Sequence, residues 1–87
     1  MAFAFEITRI HRLAKAHVGV LDGKLLEGSV TTDSTADLLH GGRQFPVLVK
    51  GVVLVSTDSD KTTLSLTVDL REAAMQFAAV GDKLVCD

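Results

Sequence analysis

Neither tryptophan nor tyrosine occurs in this 87-residue chain, and cysteine and proline appear once each. Each shortage closes a class of function. A single cysteine, Cys86, cannot form an internal disulfide and suits a reducing compartment. His11, His17 and His40 lack the close spacing of a chelating pair, and with one thiol a structural zinc site is disfavoured. No apolar run approaches the roughly 18 residues of a membrane span. Met1-Ala2-Phe3-Ala4-Phe5 is cut by Glu6 and lacks the basic start of a signal peptide. The expected location is cytoplasmic, with no membrane partner. A net charge of −2 supplies no general drive toward nucleic acid.

The catalytic inventory is equally thin. Serine, histidine and aspartate are present, but none sits in a nucleophile elbow. Asp58-Ser59-Asp60 has the acidic spacing of a calcium loop without its glycine or its final glutamate. No glycine-rich segment ends in Gly-Lys-Ser or Gly-Lys-Thr, so a phosphate-cradling loop is missing. No cofactor, metal or catalytic residue is expected. The four phenylalanines, Phe3, Phe5, Phe45 and Phe77, fall at positions that read as core. Without exposed aromatic platforms, general binding of single-stranded nucleic acid is disfavoured.

What the chain does have is apolar content of 47% against 23% charged residues, enough for one packed domain spanning residues 1–87. Phe3, Phe5 and Ile7 alternate with Ala4, Glu6 and Thr8, the pattern of a half-buried strand. A slip in the apolar phase near Arg9 to Arg12 predicts a bulge or a strand end. A second strand is expected over Ala16 to Leu21, with Asp22-Gly23 as a tight hairpin turn and Lys24 to Leu26 returning. Thr31 to Thr35 reads as a polar loop or as the rim between two short strands, and Asp33 or Ser34 could instead cap a short turn before Ala36 to Leu39. His40-Gly41-Gly42-Arg43 reads as another turn.

Phe45 to Val55 is almost continuously apolar and predicts a central strand covered on both faces, with Pro46 near its start and Gly51 at a sharp coil. Ser56 to Thr62 reads as loop. Leu64, Leu66, Val68 and Leu70 alternate cleanly and predict a strand. Arg71 to Ala79 turns to helix formers, with Leu70, Ala74 and Phe77 on one face, predicting one short helical turn near residues 71–79. Leu84 to Cys86 closes as a last strand. The expected fold is all-β, a small closed antiparallel barrel of about six or seven strands.

One phrase carries a resemblance. Val18-Gly19-Val20, Leu25-Leu26 and Gly28-Ser29-Val30 follow the opening strand, and Ala79-Val80-Gly81-Asp82-Lys83-Leu84 closes the chain. Together these resemble the β-barrel second domain of the translation elongation factors, over nearly the whole length and without the GTP-binding domain that accompanies it there. Val20 stands where that family often has a basic residue. The resemblance implies a barrel scaffold with Gly19, Gly23, Gly28 and Gly81 at turns and corners. It also implies a ribosomal, tRNA or other translation-linked partner, although the matching positions are structural.

The function expected on these grounds is a non-catalytic binding module. Arg9, Arg12 and Lys15, with His11 and His17, meet only Glu6 in the first part of the chain. With Lys24 these basic residues are the candidate contacts for structured RNA or the ribosome, because phosphate contacts need only basic side chains. The alternative is a protein-interaction or self-associating module, including a homodimer, with no RNA role. It would use an exposed strand edge or the Ala73 to Val80 segment.

Overall fold

The computed structural model describes residues 2–58 and 61–86. Ser59 and Asp60 of the acidic loop weighed above for calcium therefore lie outside the described residues, as does Met1. Seven antiparallel strands form one sheet: β1 (Phe3–Leu13), β2 (Val18–Gly28), β3 (Ser34–His40), β4 (Arg43–Val49), β5 (Gly51–Asp58), β6 (Lys61–Asp69) and β7 (Lys83–Cys86). They lie in the order β4-β3-β7-β1-β2-β6-β5. Two 3₁₀ turns, Ala14–Ala16 and Ala73–Gln76, complete the described elements. Among the described residues no helix is long and apolar enough to cross a membrane.

The core follows from period-two alternation. Phe3, Phe5 and Ile7 of β1, Leu21 of β2, Ala36 and Leu38 of β3, and Val47 and Val49 of β4 are buried together with Leu64, Leu66 and Val68 of β6 and Leu84 of β7. Every strand except β5 therefore gives its inward row to the buried core. The short β7 lies between β1 and β3, so the end of the chain holds two longer strands together. Beyond Glu6, where β1 leaves β7, Ile7 continues the pairing by donating to the Asp82 carbonyl at 2.9 Å and accepting from Gly81 N–H at 2.9 Å.

Four sequence expectations are corrected. Asp22-Gly23 is not a hairpin turn, because β2 runs through it without a break. Asp22 lies opposite Arg9 on one side and Ser65 on the other. Its carboxylate accepts from Ser65 Oγ at 2.5 Å and lies 3.2 Å from His11 Nε2, so it faces neighbouring strands and not its own backbone. Gly23 is outside the positive-φ region, and a Cβ there would lie 2.0 Å from the Glu6 carbonyl oxygen and 2.7 Å from the Phe5 ring. Its lack of a side chain allows close packing of β1 on β2, not a turn. Gly19 is likewise interior to β2, where an added Cβ would meet Leu70, Met75 and Val68 side chains. Gly28, at the end of β2, has φ of 74°, and Gly81 has φ of 97° in the turn before β7.

The second correction concerns Phe45 to Val55. This run is two strands parted at Lys50, and they occupy opposite ends of the strand order. Third, β5 and β6 extend into the expected Ser56 to Thr62 loop, pairing as far as Asp58 and Lys61. Fourth, the alternative of a capped turn at Ala36 to Leu39 gives way to the strand reading: Asp33 precedes β3, which occupies Ser34–His40.

The phase slip in β1 is a bulge at Thr8, since Ile7 pairs with Gly23 and Arg9 with Asp22. A tight hairpin does form at His40-Gly41-Gly42-Arg43, where the two glycines have φ of 56° and 79° and His40 pairs with Arg43. Positive φ at both central residues is the requirement of a type I′ turn.

Candidate functional site

The basic residues singled out in the sequence fall in different local settings. Arg9 is exposed on β1 but lies opposite Asp22. Lys24 is half-buried on β2 opposite Glu6. Arg12 Nη2 donates to the Ala78 carbonyl at 3.2 Å, which ties it to the segment after the second 3₁₀ turn. Lys15 is exposed in the first 3₁₀ turn. Cross-strand pairing thus sets acids beside two of the four candidates, a relationship invisible until the register is known.

The histidines serve backbone turns and strand junctions. His17 takes φ of 56° at the end of the first 3₁₀ turn, and its carbonyl accepts from Leu70 N–H at 2.9 Å. His40 Nδ1 is 2.7 Å from Asp82 Oδ2, and the same oxygen accepts from Ala79 N–H at 2.9 Å. This joins the end of β3 to the turn leading into β7. Cys86 is partly buried on β7 opposite Phe3. Among the described residues no three His, Cys, Asp or Glu side chains converge as a metal site requires, and no pocket opens.

Two phenylalanines read as core lie at or near the surface. Phe45 is half-buried and stacks on Phe77 with ring centroids 4.7 Å apart, and Phe77 is 40% exposed. The 3₁₀ turn explains the difference, because it buries Ala74, Met75 and Ala78 and carries Phe77 outward.

The most unequal features of the molecule are its two edges. Along β4, Leu48 N–H points away from β3 and meets both oxygens of the Glu72 carboxylate, at 3.3 and 3.2 Å. Residues two apart in a strand present their amides on the same side. Pro46 therefore occupies an outward position, where a missing donor breaks no ladder bond. Two residues further on, Lys50 N–H reaches the Thr67 carbonyl of β6 at 2.8 Å. The β4 edge is thus closed in succession by an absent donor, a carboxylate and a neighbouring strand.

The corner at Lys50 is pinned by charge as well. Asp69 Oδ2 lies 2.8 Å from Arg71 Nη2 and 3.4 Å from Lys50 Nζ, and Asp69 Oδ1 accepts from Arg71 Nε and from Arg71 N–H. The Arg71 side chain first, then its amide, holds the Asp69 carboxyl well below the usual carboxylate range, with a smaller contribution from Lys50. The guanidinium is raised in turn by the same carboxylate.

Past this corner β5 leaves the core. Val53, Leu54 and Val55 are 58%, 61% and 57% exposed, and Ser56 and Thr57 are exposed too. Successive strand residues point to opposite faces, so an exposed run of this kind is bare on both. β5 is the last strand in the order, with β6 as its one paired neighbour. Its outer edge carries no proline and no charge between Lys50 and Asp58. Natural edge strands are usually blunted by such residues. The apolar density of the sequence placed this segment at the centre of the sheet, because density alone does not separate a central strand from an unprotected edge.

Comparison with family models, with curated proteins and with solved structures returns no match to this chain.

Proposed function

We propose that this chain is a non-catalytic protein-binding module whose working surface is the outer edge of β5, which accepts an extended segment as an added strand. The observation that carries the reading is the contrast between the edges: β4 lacks a donor at Pro46 and has its Leu48 amide taken by Glu72, whereas β5 presents Val53, Leu54 and Val55 bare beside β6. Strand addition draws affinity from main-chain hydrogen bonds and selectivity from alternate side chains. In this reading the sheet is a barrel of elongation-factor type with its seam left open between β4 and β5.

The test is amide chemical-shift mapping of the full chain titrated with synthetic eight-residue peptides rich in valine, isoleucine and threonine. Shifts concentrated at Gly51 to Thr57 are expected. Shifts elsewhere only, or none at millimolar peptide, would defeat the reading.

A second reading, contact with structured RNA, draws on the exposure of Arg9 and Lys15. It requires tRNA or ribosomal RNA to bind at low salt, with an affinity and salt slope that Arg9→Ala combined with Lys15→Ala reduces.

A further inference from the structure

We infer that the surface beside the β3–β4 hairpin docks single-stranded nucleic acid, with a base stacked on Phe77 and its phosphate held by Arg43. The inference goes beyond the edge reading and uses no residue of β5. Of the phenylalanines that read as core, Phe3 and Phe5 are buried, but Phe77 stands exposed. An exposed aromatic ring is the feature whose absence disfavoured single-strand binding.

The platform is preset. Phe45 lies against Phe77 at an interplanar angle of 13°, with the centroids 4.7 Å apart. One ring face is thereby taken, and the exposure of Phe77 is left to its other face and its edge. Stacking there tolerates any base, since every base has a π-face.

The polar groups beside the ring are those a nucleotide requires. Across the hairpin Phe45 lies opposite Leu38 and Arg43 opposite His40, and residues two apart in a strand share a face. Arg43 is therefore on the face that carries Phe45, one step nearer the turn, and it is exposed. Among the described residues its guanidinium enters none of the ion pairs. A guanidinium without an acid partner suits phosphate, which it can meet with two parallel N–H bonds.

His40 completes the group. Its ring lies 6.3 Å from Phe77 and is tilted by 39°, so it flanks the platform instead of stacking on it. Its Nδ1 is 2.7 Å from Asp82 Oδ2, and a carboxylate can only accept, so Nδ1 carries the proton. Its Nε2 has no partner among the described residues and is left for a base edge. The acids of the neighbouring turns are already engaged. Asp82 Oδ2 also accepts from Ala79 N–H at 2.9 Å, and Glu72 takes Leu48 N–H.

The surface is flat, with no pocket among the described residues, so a free nucleotide would be held from one side only. A strand gains more, because its binding also releases condensed counterions. The occupant is accordingly a strand and not a free nucleotide.

The test is a set of NMR titrations of the full chain at low salt, with a thymidine octanucleotide, thymidine monophosphate and deoxyribose phosphate as probes. With four phenylalanines and neither tyrosine nor tryptophan, the ring signals are few enough to follow directly. The octanucleotide should shift the Phe77 ring and the amides from His40 to Phe45, and should do so at lower concentration than the monophosphate. Phe77→Leu keeps an apolar side chain but no ring, and should weaken binding at least about fivefold. Arg43→Gln should reduce the salt slope by about one. Amide spectra establish that both variants are folded.

No shift at these residues with millimolar octanucleotide overturns the inference, as does binding indifferent to Phe77→Leu. Deoxyribose phosphate binding as tightly as thymidine monophosphate would remove the base from the site. Thymidine monophosphate binding as tightly as the octanucleotide would remove the strand. Shifts confined to Arg9 and Lys15 would place nucleic acid elsewhere and equally overturn it. The edge reading is decided separately, since the peptide titration is read at Gly51 to Thr57 and this one at His40 to Phe45 and Phe77.

Discussion

Leu54 and Leu64 face each other across the β5–β6 ladder, yet Leu64 is 5% exposed and Leu54 is 61% exposed. Cross-strand partners share a face of the sheet. The buried core therefore ends between these two residues, and on the inner face of β5 Val52 packs against it while Leu54 does not. A long apolar strand has been placed where it contributes little to the monomer's interior.

This asymmetry sets the first prediction. Leu64→Ala deletes a side chain from the core and should cost about 2–4 kcal/mol of stability. Leu54→Thr, its cross-strand partner, should change the stability of the monomer by no more than about 0.5 kcal/mol. Urea unfolding at low protein concentration measures both. Comparable losses at the two positions would mean that β5 is packed after all.

Gly23→Ala separates a packing glycine from a turn glycine. The added methyl would stand 2.0 Å from the Glu6 carbonyl, a backbone atom that cannot swing aside. A loss of about 3 kcal/mol or more is expected, at or beyond the usual range for overpacking. Gly41→Ala should cost only about 1–2 kcal/mol, because φ is 56° there and no atom lies within 4 Å of the new methyl. If Gly23 accepted alanine as easily as Gly41, the uninterrupted path of β2 would be wrong.

The two glycines also show what could be read before the fold was known. His40-Gly41-Gly42-Arg43 announced its turn because its conformational demand is local. Asp22-Gly23 carries an equally strong local signal, and tertiary contacts override it: Ser65 and His11 take the Asp22 carboxylate, and Phe5 and Glu6 need the empty space at Gly23. Leu64, Leu66 and Val68 were legible for the same reason as Gly41, since alternation depends only on the strand itself. The split at Lys50 was not, because it depends on which strands lie beside β4 and β5. The edge surface was illegible on that account. The charges opposite Arg9 and Lys24 were equally hidden, being set by register between distant segments.

Glu72→Ala should remove one of the devices that close the β4 edge. Removing the carboxylate leaves Leu48 N–H without its acceptor, at a cost of about 1 kcal/mol. Its second effect is on association. With the Leu48 amide unsatisfied, self-association should increase, measured as a rise in scattering mass with concentration. Glu72→Gln retains an acceptor oxygen and should restore most of the original behaviour. Equal aggregation by both variants would point to lost charge and not to an exposed edge amide.

Acid should loosen the corner between β4 and β5 first through Asp69. Its carboxyl is held below the ordinary range by Arg71 in the folded chain and returns to about 3.9 on unfolding. A depressed folded value means that the unfolded state binds the proton more readily, so acid favours unfolding. The contribution is whole above the unfolded value, decreases as pH falls below about 4, and is lost once pH passes the folded value. Asp69→Asn removes the titrating group, so its stability should fall less steeply than that of the native chain across this interval. The measurement is the urea midpoint as a function of pH from neutral downward. At neutral pH the variant should be the less stable of the two, and the difference should narrow as the medium is acidified. A constant difference at every pH would mean that Asp69 holds the corner by hydrogen-bond geometry that asparagine cannot reproduce, and not by its charge.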